Sequence, residues 1–283
     1  DKTGTLTQNQ MTVVEIVAGG PRYEVSGAGY APEGAITPMG GPTDPSDNVV
    51  LAELLKAGLL CNDSALKRTE SGWQVEGDPT EGALIAAAMK AGMDPRRAEK
   101  DMPRVDTIPF ESARQYMATL HDPGNGRPCV LYVKGSVESV CFECGKTVGP
   151  ADGSFFPDPD AVSQWVESMT DRGLRVLAFA RREMPPGTTR ITHADVAAGV
   201  EFLGLQGMID PPRPEAVAAV AACKAAGIGV KMITGDHAGT AAAIARQIGL
   251  CESGGVCPAR IEGQQPALDV QLRGVAGPEP AEV

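Results

Sequence analysis

No stretch of the chain approaches the roughly 18 to 20 uninterrupted apolar residues of a membrane span. The Ala-rich segment 216–223 is cut short by Lys224. A basic excess is also missing: 25 Lys and Arg against 36 Asp and Glu leave a net charge of -11, which disfavours a sequence-independent grip on nucleic acid or anionic lipid. Any anionic ligand therefore needs a local positive pocket. Histidine is scarce, and His121, His193 and His237 lie in turns or beside a helix start with no clustered carboxylate and hydroxyl, so general-base chemistry rests on none of them. The seven cysteines are odd in number and form no dense framework, which suits a reducing compartment. Cys141 and Cys144 have metal-ligand spacing, but Cys251 and Cys257 are too far apart to complete a zinc module. With aromatics at 4% of the chain, Trp73 and Trp165 read as packing residues.

What is present starts at the first residue. Asp1-Lys2-Thr3-Gly4-Thr5-Leu6-Thr7 sets a carboxylate beside a cation, hydroxyls and a glycine amide, and Thr234-Gly235-Asp236 follows an apolar run far downstream. An aspartate can attack a terminal phosphoryl group and carry it covalently if donors and a metal offset the repulsion between the two anions. Beginning on that carboxylate, with no charged and apolar leader, the chain reads as a piece of a longer protein.

At 283 residues the chain exceeds one comfortable core, so two domains are expected. From Pro211 the pattern alternates: helix over 214–226, strand over 228–233, helix over 238–249. That is an α/β unit with a parallel strand. Its Thr234-Gly235-Asp236 cluster opens the second helix, where free amides and the helix dipole favour an anion. Between Gln10 and Ile209 short alternating runs at 22–25, 73–75, 117–120, 130–133 and 176–180 predict an antiparallel sheet. Helices are predicted over 47–60, 80–91 and 160–172. Segments 27–44 and 184–192, rich in Gly, Pro and Thr, read as surface loops.

The motifs gather into one resemblance. The heptapeptide 1–7 is the phosphorylation signature of the P-type cation-transporting ATPases, and Gln8-Asn9-Gln10-Met11-Thr12-Val13 resembles their calcium-pump and sodium-pump branch. Asp210-Pro211-Pro212-Arg213 matches the hinge between that family's two cytosolic domains. Gly77-Asp78-Pro79-Thr80-Glu81-Gly82, Pro109-Phe110-Glu111-Ser112, Lys134-Gly135-Ser136-Val137-Glu138 and Gly173-Leu174-Arg175 match motifs of its nucleotide-binding domain. Two departures stand out. Gln115 follows Arg114 where the family has a lysine, and Ser136-Val137 replaces an Ala-Pro pair.

The resemblance implies a haloacid-dehalogenase-like, Rossmann-type phosphorylation domain (1–9 and 210–283), interrupted by an inserted α+β nucleotide-binding domain (10–209) with an antiparallel sheet flanked by helices. It implies Asp1 as the phosphorylated carboxylate, with Lys2, Thr3, Thr234, Gly235 and Asp236 around it. Asp1 and Thr3 would hold Mg2+, whose remaining carboxylate ligand the family draws from a motif not found in this sequence. On the nucleotide side it implies Glu81 at the adenine amine, Phe110 stacked on the base, Lys134 and Gly135 at the floor of the pocket and Arg175 at the phosphates. Arg114, Asp210 and Arg213 complete the expected contacts. ATP and Mg2+ are the expected ligands, and membrane and actuator domains of the same polypeptide the expected partners. The expected place is the cytoplasmic face of a cell membrane. Calcium is suggested by the 26–34 stretch, which looks like calcium pumps, although the transported ion itself would not bind these residues. Two rival readings stay open: a soluble phosphatase of the same superfamily with a large cap, and an isolated nucleotide-binding module.

Overall fold

The computed structural model describes residues 2–40, 45–70, 72–143, 159–197, 199–234 and 238–251. Asp1, Gly235 and Asp236 from the expected phosphorylation site lie outside them, as do His237, Cys144 and Cys257. The chain divides into two compact units. The larger comprises Asn9–Thr170 and Leu174–Pro211, the smaller Asp1–Gln8, Asp171–Gly173 and Pro212–Val283.

The larger unit is built on eight antiparallel strands. In chain order they are β1 (Thr12–Ala18), β2 (Arg22–Val25), β3 (Ile36–Pro38), β6 (Arg104–Glu111), β7 (Tyr116–His121), β8 (Cys129–Gly135), β9 (Arg175–Met184) and β10 (Glu201–Ile209). Their spatial order is β3-β2-β1-β10-β9-β8-β7-β6. A separate ribbon pairs β4 (Ala65–Thr69) with β5 (Gly72–Glu76). Every residue of β7 is buried, and so is all of β8 but one. Near-continuous apolar runs of this kind belong to strands covered on both faces.

One cover is a pair of helices, α1 (Val49–Leu60) and α2 (Pro79–Lys90), which share a core with the sheet: Leu54, Leu55 and Leu84 meet Ile16, Met117, Tyr132 and Phe179. Both helices start on strong caps. The Asn48 carboxamide accepts from the Val50 and Leu51 amides at 3.0 and 3.1 Å, and Asp78 does the same for Thr80 and Glu81 with Pro79 at the first helical position. A short helix, α3 (Pro95–Asp101), follows α2. On the sheet, α4 (Pro159–Thr170) packs against β9 with Val162 and Met169 buried, and α5 (His193–Val196) precedes β10.

In the smaller unit Thr7 forms a β-bridge with Pro212. The Arg213 amide donates to the Leu6 carbonyl at 2.8 Å and its guanidinium Nε to the Thr7 carbonyl at 2.9 Å. Two helices follow, α6 (Pro214–Ala225) and α7 (Ala238–Gln247).

The helices at 47–60, 80–91, 160–172, 214–226 and 238–249 form close to their expected bounds, and an antiparallel sheet fills the middle. Two expectations need correcting. The parallel strand over 228–233 is not formed, and Ile228 and Ile233 stand 57% and 76% exposed. A strand needs a neighbour for its amides and carbonyls, and among the described residues of this unit the only bridge is that of Thr7 with Pro212. The 27–44 loop contains β3, paired antiparallel to β2. β1, β6 and β10, unmarked by alternation, lie within the sheet or along its edge. What the fold establishes is a mixed α/β chain with a large antiparallel sheet flanked by helices.

Candidate functional site

One convergence of charge in the larger unit is an ion pair below its surface. Glu81 sits in the first turn of α2, where the helix dipole favours a carboxylate, and Lys134 stands one residue from the end of β8. Lys134 Nζ and Glu81 Oε1 are 2.5 Å apart, with side chains only 8% and 15% exposed. The other oxygen, Oε2, accepts from Ser64 Oγ at 2.8 Å and from the Asp63 amide at 3.0 Å. Asn62 ties the same turn down from behind: its Nδ2 donates to the Gly58 and Glu81 carbonyls, both at 3.0 Å, and its Oδ1 accepts from the Ser64 amide.

Gly135, next to Lys134, has no room for a side chain. A Cβ there would lie 2.4 Å from the Gln115 carbonyl oxygen and 2.7 Å from Tyr116 Cβ. Gln115 closes the turn between β6 and β7 in a left-handed conformation, φ +56°, and its carbonyl accepts from the Ser136 amide at 2.9 Å. The β6–β7 turn is thus bonded to the residue that follows β8.

Phe110 lies on β6, in the irregular pairing between Ile108 and Glu111, and is 59% exposed. A large aromatic left in water at this level is an available stacking face. Two strand spacings separate β6 from β8, about 10 Å of backbone. Arg175, exposed, opens β9, three residues before Ala178, the register partner of Gly135. Glu81, Lys134, Gly135, Phe110 and Arg175 therefore occupy one end of neighbouring elements of one unit. Arg114 is half-exposed and within 3.4 Å of the Glu111 carboxylate. Asp210 is turned to the backbone, its Oδ1 accepting from the Gln10 amide at 3.1 Å, and Arg213 is occupied with the 6–7 segment as described.

In the smaller unit the Lys2 carbonyl accepts from the Thr5, Leu6 and Thr7 amides, a tight turn that leaves Lys2 buried and Thr3 exposed. Thr234 is half-buried.

A cleft of about 1340 Å³ lies elsewhere in the larger unit. Leu59, Leu66, Trp73, Met89 and Met93 line it, with Asn62, Ser64 and Arg104 at its wall, but Glu81, Lys134 and Phe110 do not. Size alone would favour it as the site. Glu81 and Lys134 instead stand at motif positions and are joined there by an ion pair of low exposure.

Neighbouring titratable groups take no part. Burial raises the Cys61 thiol, leaving it an inert packing group. Burial also lowers His121 to about 4: its Nδ1–H donates to the Met102 carbonyl and its Nε2 accepts from Thr119 Oγ1, both at 2.9 Å.

The family described as P-type ATPase, cytoplasmic domain N, matches residues 50–215, more than half of the chain. The chain belongs to this family. Its similarity to curated P-type ATPases runs beyond the matched segment. It is 52% identical over 261 residues to the cation-transporting ATPase pma1 of Synechocystis sp., 46% over 255 residues to the probable cation-transporting ATPase F of Mycobacterium tuberculosis, and 34% over 260 residues to the calcium-transporting ATPase of Bacillus subtilis. These matches cover 89–90% of the chain but 28–29% of each relative. The chain thus spans under a third of the length of the P-type ATPases it matches.

The matched segment holds Glu81, Phe110, Arg114, Lys134, Gly135, Arg175, Asp210 and Arg213. Among the described residues no cluster of three or more His, Cys, Asp or Glu could hold a metal. Of the two expected magnesium ligands, Asp1 lies outside those residues and Thr3 is exposed. No helix among them is long and apolar enough to cross a membrane. Sequence reasoning missed Asn62, Asp63 and Ser64. In the sequence Asn-Asp-Ser after a helix signals only a turn, and its bearing on Glu81 emerges from contacts 17 to 19 positions away.

Proposed function

We propose that the larger unit binds ATP by its adenine end, and that in the parent protein this ATP phosphorylates Asp1 to drive cation transport across a membrane. Family membership supports the class of reaction. The buried Lys134–Glu81 pair, beside a glycine that admits no Cβ and near an exposed phenylalanine, is the observation that carries base binding. Phe110 offers a face for stacking, Glu81 an acceptor for the exocyclic amine, and Arg175 a guanidinium suited to phosphate oxygens.

In the proposed chemistry a carboxylate oxygen of Asp1 attacks the γ-phosphorus. A new P–O bond forms as the bond to the β-phosphate oxygen breaks, and ADP leaves with that electron pair. Water later hydrolyses the acyl phosphate and restores the carboxylate. Magnesium, held in part by Asp1 and Thr3, would neutralise charge on the phosphates. The unit would work at the cytoplasmic face of the membrane, joined to membrane and actuator domains of the same polypeptide. Calcium is the ion proposed first, supported by the 26–34 stretch and by relatives named as calcium transporters.

The test is calorimetric titration of magnesium-ATP into the 283-residue chain. Phe110→Ala should weaken binding about thirtyfold, the middle of the roughly 1–3 kcal/mol range for base stacking, whereas Asp1→Asn should leave affinity unchanged. No binding by the unaltered chain, or full affinity in Phe110→Ala, would remove the base-binding proposal.

A further inference from the structure

We propose that Ser64 is a positioning residue for base selection: its hydroxyl fixes the Glu81 carboxylate so that a single acceptor site faces the base, favouring a 6-aminopurine over a 6-oxopurine. This rests on nucleotide binding at Glu81.

A carboxylate offers about four lone-pair sites, two on each oxygen. On Oε2 both are taken, by Ser64 Oγ at 2.8 Å and by the Asp63 amide at 3.0 Å. On Oε1 one is taken, by Lys134 Nζ. One site remains, on the oxygen that already faces the lysine. An exocyclic amine can donate to it, while a 6-oxo group would set a second acceptor against a carboxylate and leave both unpaired, the situation that gives strong discrimination in a polar site.

Ser64 is well placed to hold this arrangement. Its hydroxyl donates to Glu81 and accepts from the Asp78 amide at 2.8 Å, so the carboxylate is tied to the cap of its own helix. Gly77 keeps the hydroxyl in place by having no side chain: a Cβ there would lie 2.3 Å from Ser64 Oγ. The segment carrying Ser64 is itself clamped by Arg104, which pairs with the Asp63 carboxylate at 2.6 Å and donates to the Leu60 and Asn62 carbonyls. Without the Ser64 donor, Oε2 has an open site and the terminal carboxylate torsion, broad in itself, is held by one contact fewer.

The experiment is titration of magnesium-ATP and magnesium-GTP into the full 283-residue chain, alone and as Ser64→Ala, Ser64→Cys, Glu81→Gln and the Ser64→Ala/Glu81→Gln double variant. Loss of one hydrogen bond to a charged group should weaken ATP roughly tenfold in Ser64→Ala and leave GTP within about twofold, so the ATP-to-GTP preference collapses. Should Ser64→Ala fail to fold, Ser64→Cys, near in shape but a weak donor, carries the same expectation. In the Glu81→Gln background the additional Ser64→Ala change should leave the preference where Glu81→Gln alone puts it. Equal weakening of both nucleotides, or a further fall in preference in the Glu81→Gln background, overturns the role of Ser64 while leaving nucleotide binding intact. Absence of ATP binding in the unaltered chain overturns both.

Discussion

Removing the amine of Lys134 while keeping its length, as Lys134→Met, leaves Glu81 with a buried charge and no cationic partner. Where the pair sits decides the size of the effect. At 8% and 15% side-chain exposure it is far from the surface regime, in which ion pairs contribute about 0–1 kcal/mol. Breaking a buried pair from one side costs about 3–5 kcal/mol. Ser64 Oγ and the Asp63 amide still solvate Oε2, which argues for the lower end, about 3 kcal/mol. For a unit of some 200 residues a loss of 1 kcal/mol lowers the melting midpoint by about 2–4 °C, so the variant should melt roughly 6–12 °C lower. Thermal and urea unfolding followed by circular dichroism would read the loss. The double variant Lys134→Met/Glu81→Gln separates an unpaired charge from lost packing: neutralising the carboxylate should recover more than half of the deficit, because a buried pair replaced on both sides is close to neutral. A Lys134→Met loss under about 1 kcal/mol, the surface value, or a double variant as unstable as the sum of its singles, would refute the picture of a desolvated pair.

Two further outcomes follow from the geometry. Gly135→Ala should destabilise the unit by about 1–3 kcal/mol through overpacking, because the added carbon meets the Gln115 carbonyl at 2.4 Å and not the end of a flexible side chain; urea unfolding checks it, and an unchanged midpoint would contradict the clash. His121, neutral in the fold with its ionisation lowered to about 4 from 6.5, contributes stability that is fully present above pH 6.5 and is lost as pH falls toward 4, because the unfolded chain takes up the proton first. His121→Gln should flatten that part of the stability curve, measured as urea midpoints from pH 7 to 4; an unaltered slope would mean that other groups set it.

The sequence made some strands visible and hid others for a physical reason. β2 alternates buried with more exposed positions and β5 half-buried with exposed ones, and such alternation is what a half-covered strand displays. β1 reads Thr-Val-Val-Glu-Ile-Val-Ala and β10 Glu-Phe-Leu-Gly-Leu-Gln-Gly-Met-Ile, with hardly an exposed position in either. Burial along their whole length leaves a period-two signal to chance, present in the equally buried β7 and β8 but absent here, and the glycines in β10 read as breakers. β3 was obscured by the Gly and Pro around it and forms because β2 offers a partner edge. The same requirement works in the opposite direction at 228–233, where an apolar run suited to a strand has no such partner among the described residues and leaves Ile228 and Ile233 in solvent. Local pattern records which residues tolerate a strand. Pairing decides which become one.

The site was legible where a motif names the residue and illegible where geometry supplies the partner. Glu81, Lys134 and Gly135 stand in recognisable strings, and the fold brings the first two to 2.5 Å. Nothing in Cys61-Asn62-Asp63-Ser64 announces that three successive residues will hold Glu81, since their contacts cross a whole ribbon and a helix cap. The departure at Gln115 is the instructive intermediate. Judged by side chain it loses a lysine, yet the structure uses this residue through its backbone: its left-handed φ turns β6 into β7, and its carbonyl both accepts from Ser136 and occupies the space that makes a glycine necessary at 135. Side-chain identity at 115 is therefore separable from the support that position gives Lys134. Gln115→Lys would restore a cation without changing the turn, whereas Gln115→Val, with a β-branched side chain poorly tolerated at positive φ, would disturb the turn whatever its polarity.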